Sequence, residues 1–157
     1  SDGIDDLFEL PALYRTAREA LELMMDRRFH GGNVCTVAQL RTPLLLKELE
    51  GRSDLIAKEI RELAAHDKKK DTQYCETLYH YLTCCRSLKK TCDAPFTHRN
   101  TVLYRIRRIE DDFAIPLDEP AAHADLLVGV SLLLFKEKGP DFFLHTVDHN
   151  NREEQES

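Results

Sequence analysis

The chain has 157 residues, with 22 Lys+Arg against 28 Asp+Glu and a formal net charge of -6. That length suits one domain, or a small domain with part of another, and 42% hydrophobic residues exclude wholesale disorder. No apolar run reaches the roughly 18 residues a membrane span needs, and the acidic first residues do not read as a signal peptide, so a cytoplasmic protein is expected.

In chain order, Leu13, Ala17, Ala20, Leu21 and Met24 fall at helical spacing and predict an amphipathic helix ending near His30-Gly31-Gly32. Val34 to Val37 can form a short strand. Thr42-Pro43 reads as an N-cap followed by Pro at the first helical position, opening a short helix that Gly51 ends. Ser53 can cap the next helix, with an inward stripe of Ile56, Ile60 and Leu63. His66-Asp67-Lys68-Lys69-Lys70-Asp71 reads as a polar joint and divides residues 1–70 from a second unit, 71–147, with a polar tail at 148–157.

Beyond that joint the pattern is fully helical. Tyr74, Leu78, Tyr81, Leu82 and Cys85 form one stripe, and a short segment follows from Ser87 to Ala94, where Pro95 breaks it. Thr97 can cap a longer helix whose inward stripe is Val102, Ile106, Ile109 and Phe113. Ala114-Ile115-Pro116 stops it. A last helix starts near Asp118 or Glu119 with Pro120 and is apolar almost all round through Leu126, Leu127, Val130, Leu133 and Leu134. Such a helix must be buried, either closing the core or lending those five residues to a dimer interface. The expected fold is mainly α: a helical bundle containing a helix-turn-helix, preceded by a helical segment with at most a short strand from the end of an upstream domain.

The five cysteines are odd in number and contain no CxxC pair, so reduced thiols are expected, with Cys75, Cys85 and Cys92 as small buried side chains. His145 and His149 are one helical turn apart, but no set of paired ligands accompanies them, and neither a metal nor another cofactor is expected. Nothing pairs a nucleophile with a base at a recognisable spacing, so no enzyme is expected.

The charge is unevenly spread. Residues 86–108 carry seven basic residues and one acid, Asp93, in an otherwise acidic chain. Two helices joined by a short turn, the second cationic, outline a helix-turn-helix. At about 100° per residue the apolar stripe of the second helix lies opposite Asn100, Tyr104, Arg107 and Arg108, with Thr101 beside them and Arg99 and Arg105 flanking the stripe. Arg pairs with guanine or phosphate, Asn with adenine, and Tyr and Thr donate to phosphate. No acid balances the arginines from His98 to Ile109.

The stretch "HRNTVLYRIRRIE", His98 to Glu110, resembles the C-terminal helix-turn-helix of the bacterial purine-catabolism / carbohydrate-diacid regulator family, the PucR type. Thr77-Leu78, Tyr81-Leu82, Thr91 and the "LDEP" of Leu117 to Pro120 are also similar. The resemblance covers about residues 77–135. It implies a transcriptional regulator whose recognition helix, about 98–110, docks in the major groove of double-stranded DNA. His98, Arg99, Asn100, Thr101, Tyr104 and Arg105 would face DNA, and the angles add Arg107 and Arg108. A homodimer is expected, and a small-molecule effector would be bound by a region absent from this chain, which then reads as a C-terminal fragment. Pro95 stands where the family has a large aliphatic residue, Thr97 where it has Val or Ile, and Ala114 where it commonly has Gly. An altered turn opens the alternative of a dimerisation or interaction module that has lost DNA binding.

Overall fold

The computed structural model describes residues 10–26, 29, 36–93 and 98–144. These form seven α-helices: α1 (Leu10–Met24), α2 (Val37–Glu48), α3 (Lys58–Lys70), α4 (Tyr74–Thr83), α5 (Leu88–Asp93), α6 (Arg99–Phe113) and α7 (His123–Lys138). Two 3₁₀ turns, Ser53–Leu55 and Pro120–Ala122, and a short helical turn at 141–144 complete them, and no strand occurs among the described residues. The helical expectation holds. The chain groups into two compact units, one of residues 1–48 with 138–157 and one of residues 49–137.

In the first unit α1 and α2 pack together. Val34 and Cys35 of the expected strand lie outside the described residues, and Val37 begins α2. The cap is Thr36, not Thr42. Its Oγ1 accepts from the Gln39 backbone N–H (3.3 Å) while Gln39 Oε1 accepts from the Thr36 N–H (2.9 Å). This reciprocal capping box outweighs Pro43, which sits inside the helix and removes one backbone hydrogen bond. On α1 the buried residues are Ala20 and Leu23, whereas Leu13 and Leu21 of the predicted stripe are 47% and 58% exposed.

The second unit is built round α6, which contacts α3, α4 and α5. Ile60 and Leu63 of α3, Leu78 of α4, and Val102 and Ile109 of α6 are wholly buried. Each contributes about 1.5–3 kcal/mol of apolar burial. α7 adds Leu126, Val130, Leu134 and Phe135 to this core. Its Gly129 faces α3 and the segment before it, where a Cβ would make ordinary van der Waals contact, 3.4 Å from Ile56 Cγ2 and 3.7 Å from Ile60 Cγ2. Ser53 opens a 3₁₀ turn rather than α3, and its hydroxyl accepts from Lys136 Nζ of α7.

The polar joint at 66–71 is a tight corner. α3 runs on to Lys70, Asp71 adopts the left-handed conformation (φ 53°), and Asp67 turns inward. Asp67 Oδ1 accepts from the Thr72 hydroxyl (2.5 Å) and the Tyr74 N–H (2.9 Å), and Oδ2 accepts from the Cys75 N–H (2.7 Å). One carboxylate of α3 thereby satisfies the first donors of α4, at the end of the helix dipole that favours negative charge.

Two further turns use left-handed backbone without glycine. Cys85 and Arg86 (φ 52° and 61°) end α4, where the Arg86 N–H reaches back to the Tyr81 carbonyl at 2.8 Å. Arg86 then donates through its guanidinium to the Leu117 carbonyl (3.2 Å), fastening the α6–α7 linker to the end of α4. The turn exposes Cys85, against the expectation of a buried thiol. Cys75 is buried and Cys92 half-buried, and the four described cysteines form no disulfide.

Ala114 caps α6 with φ 52° and ψ 35°. An L-residue with a Cβ pays roughly 1–2 kcal/mol there, and glycine does not. Ala114 is exposed, so its methyl contributes little packing. Ala114→Gly is therefore expected to stabilise the protein by about 1 kcal/mol, less than the full strain because glycine has more freedom to lose on folding. Urea unfolding of the two proteins checks this, and a lower midpoint for the glycine variant would contradict it.

Candidate nucleic-acid interface

α5 and α6 are the two arms of the motif. Thr91, wholly buried, fixes α5 from inside by donating its hydroxyl to the Ser87 carbonyl at 2.7 Å. The turn between the arms, residues 94–97, lies outside the described residues, and with it the expectations attached to Pro95 and Thr97 as departures from the family. α6 begins at Arg99 with His98 as its N-cap in extended conformation (φ -61°, ψ 139°), so the cap lies one residue beyond the predicted one, Thr97. The His98 carbonyl accepts from the N–H groups of Thr101 (2.9 Å) and Val102 (3.1 Å).

The inward stripe is as the periodicity predicts. Val102, Ile106 and Ile109 are buried and Phe113 is half-buried. On the other side His98, Arg99, Asn100, Thr101, Tyr104, Arg107 and Arg108 are all exposed, Tyr104 at 58%. Residues 100, 104 and 107 follow one another at helical neighbour spacing, so the polar and cationic groups form one continuous strip from the first turn of α6 onward. The first turn carries no acid.

Arg105 differs from the rest. It is half-buried, and its guanidinium donates to Thr77 Oγ1 (3.1 Å) and Gln73 Oε1 (3.2 Å). Thr77 is itself oriented by donating to the Gln73 carbonyl at 2.7 Å. Arg105 thus ties α6 to the start of α4, which agrees with its flanking position on the wheel. Arg108 pairs with Asp112 one turn on, 2.7 Å apart, and that carboxylate tightens its hold on its proton. Arg107 makes no ion pair among the described residues.

Acids gather at the far end of α6. Burial, followed by the nearby Asp118 and Asp111, holds the Glu110 carboxyl above the usual carboxylate range. Burial and then Glu110 raise the Tyr81 phenol, against the opposing pull of Arg86.

Three contacts were not foreseen from the sequence: the Asp67 cap of α4, the Arg105 tie to Gln73 and Thr77, and the Arg86 tie to Leu117. Each joins residues that are distant along the chain or sit in a stretch whose composition reads as a solvated loop. On α7, Leu126, Val130 and Leu134 are buried in the chain's own core, while Leu127 and Leu133 are half-buried. The large apolar residue of that helix that is exposed is Val128, at 51%. The described residues contain no group of three metal-ligating side chains, and His145 and His149 lie outside them. No described helix is long and apolar enough to cross a membrane.

Three packed helices with a buried stripe and an outward polar strip on the third define a helix-turn-helix of the kind found in DNA-binding regulators. Residues 74–132 match the family model described as the PucR C-terminal helix-turn-helix domain, and this part of the chain is a PucR-type helix-turn-helix. Neither the curated proteins nor the solved structures contain a match.

Proposed function

We propose that the chain is the DNA-contacting part of a bacterial, cytoplasmic transcriptional regulator, with α6 docking in the major groove. The observation that carries this reading is the strip on α6. Arg99, Asn100, Thr101, Tyr104 and Arg107 are exposed together, opposite a buried stripe, with His98 at the helix start. Asn100 and Arg99 in the first turn are suited to base edges, and Tyr104, Arg107 and Arg108 to phosphates. Arg105 supports the helix from the flank. A homodimer would present two such helices to two half-sites. The effector would be bound outside the helix-turn-helix.

Fluorescence anisotropy with duplex DNA at two salt concentrations tests the reading. Binding is expected to weaken with salt, because each phosphate contact releases counterions. Arg99→Ala with Arg107→Ala is expected to bind at least tenfold more weakly. A double variant that binds as tightly as the parent would remove α6 as the reading helix.

A further inference from the structure

The lysine tract at the end of α3 lies outside the segment matched by the family model, yet the fold brings part of it to the flank of α6. His66 stacks on Tyr74 (ring centroids 5.2 Å apart) and meets Phe113 of α6 edge-on (5.4 Å). Gln73, on the other side of the tract, accepts from Arg105 of α6 at 3.2 Å. The tract is thus bracketed by two residues that touch α6. Lys70 and Gln73 are three positions apart along the chain, a span of at most about 11 Å.

The helical angles divide the three lysines. At about 100° per residue, Lys70 lies about 40° round the helix from His66 and Lys69 about 60° on the other side, while Lys68 lies about 160° away. Lys69 and Lys70 therefore stand on the side where His66 meets α6, and Lys68 points elsewhere. All three are exposed, and none makes an ion pair among the described residues. On α6, Arg105 reaches Gln73 and Arg108 is engaged by Asp112, while the corner itself holds the acids Asp67, turned inward onto α4, and Asp71.

We propose that Lys69 and Lys70 form a second phosphate-binding patch that extends the DNA interface from α6 onto the α3–α4 corner. The partner is the sugar-phosphate backbone of duplex DNA, contacted without regard to sequence. The patch rests on the DNA-binding reading above and adds a surface that the matched segment does not contain. The corner is held rigid by Asp67, so the two ammonium groups are presented on a fixed element rather than on a mobile joint. A competing role for these lysines is to complement the C-terminal end of the α3 dipole, which would affect helix stability and not DNA binding.

The test compares the parent chain with Lys69→Ala/Lys70→Ala and with Lys68→Ala, using a mixed-sequence duplex of about two helical turns over a series of salt concentrations. The double variant is expected to reduce the slope of log affinity against log salt by about 2, since each lost phosphate contact removes about 0.9. Lys68→Ala is expected to leave the slope near that of the parent. The loss should be equal on a selected site and on mixed sequence. A double variant with the parental slope overturns the patch, as does a Lys68→Ala variant that lowers the slope as much per charge. An unfolding midpoint that drops with no change in slope assigns the lysines to the helix dipole instead. A parent chain with no salt-dependent binding overturns the patch and the reading of α6 together.

Discussion

Asp67→Ala is expected to destabilise the protein by about 3 kcal/mol. The residue is 7% exposed and its carboxylate accepts three hydrogen bonds, two from the first backbone donors of α4 and one from Thr72. A helix cap alone contributes about 0.5–2 kcal/mol, and a hydrogen bond to a charged group about 1.5–3 kcal/mol. Alanine leaves the N–H groups of Tyr74 and Cys75 without an acceptor at positions where both residues are buried, so water cannot easily replace the carboxylate. Asp67→Asn keeps one acceptor oxygen and the shape of the side chain, and about half the loss is expected. Urea unfolding at neutral pH measures both. An alanine variant with the parental midpoint would show that solvent reaches the corner and that the bonds are exchanged at no cost. The expected cost also means that the matched segment does not stand alone: a chain beginning at Tyr74 would lack the acceptor for its own first turn, together with Ile60 and Leu63 of the core.

How far this could be read beforehand depended on whether the determining contact was local. The stripe of α6 was legible because Val102, Ile106 and Ile109 recur at the helical period and all face one core. Its polar side followed by subtraction. Ala114 was legible as a departure, and the structure gives it physical content: a left-handed residue that carries a Cβ. The start of α2 was misread because Thr42-Pro43 imitates a helix opening, while the capping box of Thr36 and Gln39 begins the helix earlier and carries it through the proline. The stripe of α1 falls on a helix as its spacing predicts, but of its five residues only Ala20 is buried. Periodicity shows which side of a helix is apolar, not what covers it, and Leu13 and Leu21 remain exposed. The corner at 66–71 was illegible for a different reason. Asp67 caps a helix that starts seven residues later, across a reversal of chain direction, and no local rule reaches that far.

Substitutions at Asn100 and Arg107 are expected to separate sequence reading from phosphate contact. Asn100 sits in the first turn of α6, exposed, where an amide can pair with both hydrogen-bonding groups of adenine in the major groove. Losing such a pair is worth about 1–3 kcal/mol, which corresponds to roughly 5- to 150-fold in affinity. Asn100→Ala should therefore weaken binding to a selected site by that factor and barely change binding to mixed sequence. Arg107 stands two turns further along the same strip, without an ion pair among the described residues, where its reach favours the backbone. Arg107→Ala should weaken binding to every sequence alike and lower the salt slope by about 0.9. Selection of a preferred duplex from a random pool, followed by anisotropy titrations on that duplex and on mixed sequence, provides both numbers. If Arg107→Ala leaves the slope unchanged, Arg107 is not on the backbone. Asn100→Ala losing equally on all sequences would place the amide on phosphate and move base recognition to Arg99 and Thr101, the neighbouring exposed residues of that turn.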